Sequence, residues 1–262
     1  VFPILFFVGP VGIRTAGVIV IAALFAGAWL AARRLRQRAL PGALAYDFVA
    51  PALLSGLVGA RLAYALVFDP AWYLERPTEL LAVWKGGFAE EGGLLGALAA
   101  AVWWCRRRHV GFWVFGDALA PGVALGVTIA RVGALLGGAG YGTPTTLPWA
   151  ITFSDPNAVA PLGIPLHPTQ AYESLAGLVL TALLLLAKRW TRPGQLFLLL
   201  LMGLALERSV FDLIRGDAIW ITDWATSGQI AGVMVFGISL AFIHRPHQES
   251  PTRSERSGDL LT

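Results

Sequence analysis

The sequence predicts an all-α integral membrane protein of about seven transmembrane helices, with a small extracytoplasmic cap between the fourth and fifth. Three observations carry this. Of the 262 residues, 56% are hydrophobic and only 14% charged. With a mean hydropathy of +0.65, that is more apolar surface than one globular core consumes. The apolar residues fall in blocks of about 18 to 22, each long enough at ~1.5 Å per residue to cross a hydrocarbon layer of ~30 Å. The basic residues gather in short clusters between alternate blocks, which is a topology signal.

The predicted spans are 15–32, 47–68, 88–105, 114–136, 171–187, 196–210 (running on to 213) and 229–243. Segment 1–14 lacks the basic start and small-residue cleavage site of a secretory signal, so the first apolar block reads as a retained helix. Connections after odd-numbered spans carry Arg33, Arg34, Arg36 and Arg38; Arg106, Arg107 and Arg108; Lys188, Arg189 and Arg192; and Arg245, Arg253 and Arg256. Connections after even-numbered spans hold only Arg76, Lys85 and Arg215. Thirteen against three places the first set in the cytoplasm and the amino end outside. The chain therefore divides into a membrane domain, 1–243, and a polar cytoplasmic tail, 244–262, predicted to be disordered. Within the domain, 137–170 is rich in Gly, Pro and Thr and is expected to fold as an outer cap or lid.

The calculated isoelectric point near 9.6 does not mark a nucleic-acid binder, because the arginines form no stripe on one soluble surface. The single cysteine, Cys105, excludes an internal disulfide. No metal-binding motif stands out, and no cofactor is implied.

Ionisable side chains inside lipid-spanning helices are costly unless paired or facing a cavity, so their depth is informative. Arg61 falls in the outer third of span two, Glu90 and Glu91 at the outer mouth of span three, and Arg131 near the outer end of span four. His167 and Glu173 flank the outer start of span five, and Arg208, Asp212 and Arg215 the outer end of span six. Five helices thus place polar groups at one depth, which suggests one cavity with an anion-binding face. The last three are spaced i, i+4, i+7 and share a face if the helix persists to Arg215. The structural alternatives are arginines reaching to headgroups and an Arg208–Asp212 pair that only neutralises itself. Asp47 and Asp117 stand where helix N-caps are expected. Pro51 and Pro121 lie a few residues into their spans and are candidates to kink them. The run 133–142 permits close packing or close backbone approach to a ligand.

These same residues carry a family resemblance. The stretch Asp117-Ala-Leu-Ala-Pro-Gly-Val-Ala-Leu-Gly, followed by Ala130-Arg-Val-Gly and closing at Gly140-Tyr-Gly142, resembles the signature of bacterial prolipoprotein diacylglyceryl transferases. His167-Pro-Thr-Gln-Ala-Tyr-Glu173 resembles a second element of that family. Gly59-Ala-Arg-Leu-Ala-Tyr64, Gly86-Gly-Phe-Ala-Glu-Glu-Gly-Gly93, the stretch from Arg208 to Arg215, and Gly228-Gln229 match in order and spacing.

The resemblance implies a multi-pass protein of the bacterial inner membrane. It would move a diacylglyceryl group from phosphatidylglycerol to the lipobox cysteine of a prolipoprotein. It implies that Arg131 and Arg208 clamp the phosphate and that Arg61, Gly142, His167, Glu173, Asp212 and Arg215 line the substrate site. At four positions the chain departs from the family pattern. Glu91 stands where the family has its histidine, Ala134 and Ala139 where it has asparagine and glutamate, and Ala16 where it has a tyrosine. Glu91 is then the candidate base for deprotonating the acceptor thiol. The alternatives are an altered or inactive relative that binds phospholipid or moves a lipid group to another acceptor. A transporter with a charged path is disfavoured, because no chain of charges reaches the cytoplasmic side.

Overall fold

The computed structural model of the protein describes residues 1–8, 11–67, 70–82, 86–187 and 192–244. The predicted disordered tail lies outside the described residues, apart from His244, as do Lys85, Lys188, Arg189, Arg245, Arg253 and Arg256. The chain opens with an antiparallel hairpin, β1 (Ile4–Val8) and β2 (Val11–Arg14), and runs directly into α1 (Thr15–Arg36). After α2 (Ala43–Val67) come a short helix, α3 (Pro70–Glu75), and a 3₁₀ turn over Pro77–Leu81. The chain continues through α4 (Glu90–Arg108) and α5 (Phe112–Gly137). The two-residue strands β3 (Ile151–Thr152) and β4 (Pro165–Leu166) pair ahead of α6 (Thr169–Ala187). α7 (Gln195–Phe211), the small hairpin β5 (Trp220–Thr222) and β6 (Ala225–Thr226), and α8 (Ser227–Phe242) complete the described chain.

Each predicted span coincides with one helix. Among the described residues α1, α2, α5 and α6 are long and apolar enough to cross a membrane. The charged ends of α4 dilute its apolar stretch, while α7 and α8 are short, at 17 and 16 residues. Large aliphatic side chains face outward along these helices: Leu54 is 65% exposed, Leu66 72%, Leu186 68% and Val233 69%. An aliphatic surface of that extent needs lipid as its solvent, and the molecule is a multi-pass helical membrane protein.

The bundle is assembled by close helix pairs at glycines. α1 lies along α5 with Gly27 and Gly122 in backbone contact, and a Cβ at Gly27 would meet the Gly122 carbonyl oxygen at 2.6 Å. α2 lies along α4, where Gly59, Gly92 and Gly96 leave no room for any side chain. Small residues are what let helices approach this far without a hydrophobic drive between them. Ala32, Leu35, Phe48, Trp104 and Phe115 pack a core where α1 and α4 end and α2 and α5 begin.

Two predicted N-caps are corrected. α2 begins four residues and α5 two residues ahead of the predicted spans, so Asp47 and Asp117 sit inside helices rather than at their starts. Asp47 pairs loosely with Arg108 at 4.0 Å. Asp117, wholly buried, caps a different helix: it accepts from the backbone N–H groups of Gly194 (2.8 Å) and Phe197 (3.0 Å) at the start of α7. Arg38 lies 3.4 Å from the same carboxylate. Pro51 and Pro121 lie inside continuous α2 and α5.

Candidate active site

Five helices meet at the end of the bundle opposite that core. Arg131 stands two turns from the end of α5, Glu90 and Glu91 open α4, and Glu173 lies in the second turn of α6. Glu207 and Arg208 lie in the last turn and a half of α7, and Gly228 is the second residue of α8. Together they line a cavity of about 270 Å³ whose remaining walls are apolar, among them Leu94, Val127, Leu201, Leu204 and Val235. An apolar chamber with a few convergent charges is the usual form of a site for an amphiphile.

The charges form one network. Arg131 Nε lies 3.1 Å from Glu173 Oε2, and Arg215 Nη1 is 3.7 Å from Glu173 Oε1. Arg208 reaches Asp212 with Nε at 3.3 Å and Glu90 with Nη1 at 3.3 Å. Arg215 Nε approaches Asp212 at 3.9 Å and donates to Asp217 Oδ1 at 2.9 Å. Burial works against the Arg215 charge, but the carboxylates of Asp217, Glu90 and Glu173 outweigh it and raise the guanidinium's pKa. Asp212 is held from its other side by the Thr226 hydroxyl, which donates to Oδ2 at 2.5 Å. The same threonine caps α8 in a reciprocal capping box with Gln229.

The i, i+4 relation between Arg208 and Asp212 holds, but α7 ends at Phe211 and Asp212 is its C-cap. Arg215 is positioned from elsewhere. Its backbone pairs antiparallel with Gly142, and Thr143 N–H donates to the Ile214 carbonyl at 2.8 Å. Gly142 has no room for a side chain there, since a Cβ would sit 2.6 Å from the His167 carbonyl oxygen. Gly228 is required for a similar reason. Any side chain on it would displace the Arg208 and Asp212 groups packed against its backbone.

The structure separates the predicted site residues into two sets. Glu90, Glu91, Arg131, Glu173 and Arg208 line the cavity, with Asp212 and Arg215 directly behind them. Arg61, Gly142 and His167 do not line it. Arg61, 5% exposed, spends its guanidinium on carbonyl oxygens of the α3–α4 connection: Glu79 (2.7 Å), Leu80 (3.2 Å), Ala82 (3.3 Å), Gly86 and Gly87 (3.0 Å). His167 packs edge-on against Tyr172, ring centroids 6.3 Å apart, and serves the loop through its backbone. Glu91 has no ion-pair partner among the described residues, in contrast to Glu90.

Glu207 is the residue that sequence reasoning missed. It lines the cavity beside Arg208, and both its carboxylate oxygens are closed to solvent with no hydrogen-bond partner among the described residues. The available signal was an acidic residue inside the apolar stretch of α7. Ala16 packs under the signature glycines, its Cβ 3.4 Å from where one on Gly137 would stand. Ala139 contributes its backbone carbonyl, which accepts from Gln170 Nε2 at 2.8 Å.

Fold and cavity together define a helical multi-pass membrane protein with an arginine-lined chamber at one end of its bundle. The family description of prolipoprotein diacylglyceryl transferases matches residues 3–245, and the chain belongs to that family. It is similar to the phosphatidylglycerol–prolipoprotein diacylglyceryl transferase of Bordetella avium, with 34% identity across 81% of each chain. It is similar also to that of Geobacter sulfurreducens, with 33% identity over 92% of this chain and 90% of the relative. The Pseudomonas fluorescens protein of the same name is 31% identical over 96% of each chain.

Proposed function

We propose that the protein transfers the diacylglyceryl group of phosphatidylglycerol to the lipobox cysteine thiol of prolipoproteins at the outer face of the bacterial inner membrane. The observation that carries this reading is the approach of Arg131 and Arg208 to one apolar-walled cavity in a chain of this family. The thiol gives its proton to a base, and the thiolate sulfur attacks the glycerol carbon that bears the phosphate. A C–S bond forms, the C–O bond breaks, and glycerol phosphate departs with the electron pair. Arg131 and Arg208 hold the phosphate as that charge localises, which is worth most in a water-poor chamber. Glu91, at the mouth and free of an ion pair among the described residues, is the proposed base. Asp212, Glu173 and Arg215 fix the two clamping arginines, while Arg61, Gly142 and His167 shape the connections around them.

In this reading α1, α2 and α4 to α8 all span the membrane, the amino end lies outside, and residues 137–170 form an extracytoplasmic cap. The apolar cluster of Phe153, Ala160 and Leu166 supports a folded cap. The basic ends of α1 and α4 support the orientation. A second reading, a phospholipid-binding relative without turnover, is favoured by the alanines at positions 16, 134 and 139.

The test is transfer in phosphatidylglycerol vesicles with a lipobox peptide, following glycerol phosphate release and peptide mass. A diacylglyceryl mass gain that falls in both Glu91→Gln and Arg131→Ala supports the transferase with an altered base. No turnover, with phosphatidylglycerol binding that weakens in Arg131→Ala, supports the second reading instead.

A further inference from the structure

Around the cavity, donors and acceptors are unspent in an informative ratio. Arg131 Nε, Arg208 Nη1 and Arg215 Nη1 are buried without hydrogen-bond geometry to any described partner, and so are Glu173 Oε2 and Asp212 Oδ1. Each of these five nevertheless has an opposite charge within 4 Å. Glu207 differs: neither of its oxygens has a hydrogen bond or an ion pair among the described residues. A buried acceptor without a donor costs the desolvation of that group, and such sites in native proteins are places where something else supplies the donor. A phosphate cannot supply one, because its free oxygens only accept. What a phosphatidylglycerol head carries besides its phosphate is a glycerol with two hydroxyls, each a donor.

On the reading proposed above, we infer that Glu207 accepts a hydroxyl of the headgroup glycerol, and so makes the site selective for a polyol-bearing phospholipid. The geometry suits this role. Arg208 follows Glu207 in α7, and both line the cavity with Arg131, so the phosphate clamp and the acceptor lie within one headgroup's reach. The terminal torsion of a glutamate is broad, so either oxygen turns onto the cavity without leaving its rotamer well. Glu207 is then a specificity residue. It does not touch the carbon under attack, and thiol deprotonation stays with Glu91.

The experiment compares phosphatidylglycerol with phosphatidylethanol, which keeps the phosphate, the reacting carbon and the acyl chains but has no hydroxyl. Rates of peptide modification are measured for the full chain and for Glu207→Leu and Glu207→Gln. Equilibrium binding of each lipid to the purified protein is followed in parallel by native mass spectrometry. Loss of one hydrogen bond to the Glu207 carboxyl corresponds to about threefold to tenfold, so the unmodified protein should favour phosphatidylglycerol by that factor in kcat/KM. Glu207→Leu should remove the preference, the ratio of the two kcat/KM values falling towards one whatever the substitution does to both lipids in common. Glu207→Gln, which retains an acceptor oxygen, should keep most of it. A protein without preference, or a Glu207→Leu variant that slows both lipids alike, overturns the assignment. If neither lipid is turned over, the transferase reading fails by itself. The binding preference and its loss in Glu207→Leu then decide the headgroup assignment.

Discussion

At the scale of single residues, the decisive question is how three arginines and their carboxylates remain in an apolar bundle. Glu173 answers most of it: 2% exposed, it stands between Arg131 and Arg215 and compensates both. Removing one partner of a buried ion pair leaves an uncompensated charge and typically costs about 3–5 kcal/mol. Glu173→Gln should therefore lower the melting temperature in detergent, and Glu173→Asp, which keeps the charge, should lower it less. Equal melting temperatures for the two variants would show that packing, not charge, sets the role of Glu173. Arg131 makes the complementary case. It is 22% exposed at the side chain and faces the cavity, so its loss bears more on turnover than on folding. Arg131→Ala is expected to cut transfer by about a hundredfold or more, the usual cost of one donor to a developing oxyanion. Arg131→Lys should recover only part, since an ammonium lacks the planar fork. Full activity in Arg131→Ala would remove it from the phosphate clamp.

Helices hold these residues, and two contacts between helices can be tested cleanly. At Gly122 any side chain collides with the backbone of α1, whereas at Gly237 nothing lies within 4 Å. Gly122→Val should depress the melting temperature sharply or prevent assembly, while Gly237→Ala should be neutral or slightly stabilising, by about 0.5–1 kcal/mol. Matching losses in both would argue against the close α1–α5 pairing. Asp117 fixes the other end of the bundle by capping α7, and Asp117→Ala should cost about 1–3 kcal/mol through the orphaned N–H groups of Gly194 and Phe197. This scale also shows what was legible in the sequence. Helix positions were, because apolar blocks of membrane length report them directly. The cap role of Asp117 was not, since its partners lie 77 and 80 residues away and only packing brings them together. The hairpin of β1 and β2 and the carbonyl cage around Arg61 were missed for a related reason. The hairpin is made by backbone–backbone hydrogen bonds and the cage by the Arg61 guanidinium donating to backbone carbonyls, and neither leaves a periodicity in side-chain polarity. The grouping of Arg131, Glu173 and Arg208 followed from depth along the helices, whereas Glu207 was passed over beside the more conspicuous Arg208.

For the molecule as a whole, orientation in the membrane decides whether the charged chamber meets exported substrates. The ends of α1 and α4 carry arginine triplets, while the chamber lies where α5 and α7 end and α6 and α8 begin. Basic ends remain on the cytoplasmic side, so the chamber should open on the opposite face. The chain offers a direct test, because its one cysteine, Cys105, is only 3% exposed and gives little background to a bulky thiol reagent. Ser154, in the connection before α6, and Asp223, in the turn between β5 and β6, are exposed positions on the chamber side. Gln37, exposed at the end of α1, reports the other. In intact bacterial cells from which only the outer membrane has been permeabilised, a membrane-impermeant maleimide should label cysteines at 154 and 223. It should reach a cysteine at 37 only after the inner membrane is opened. The reverse pattern would place the chamber in the cytoplasm, where a lipobox cysteine emerging from export could not reach it, and would remove the prolipoprotein from the proposed reaction while leaving the lipid site intact.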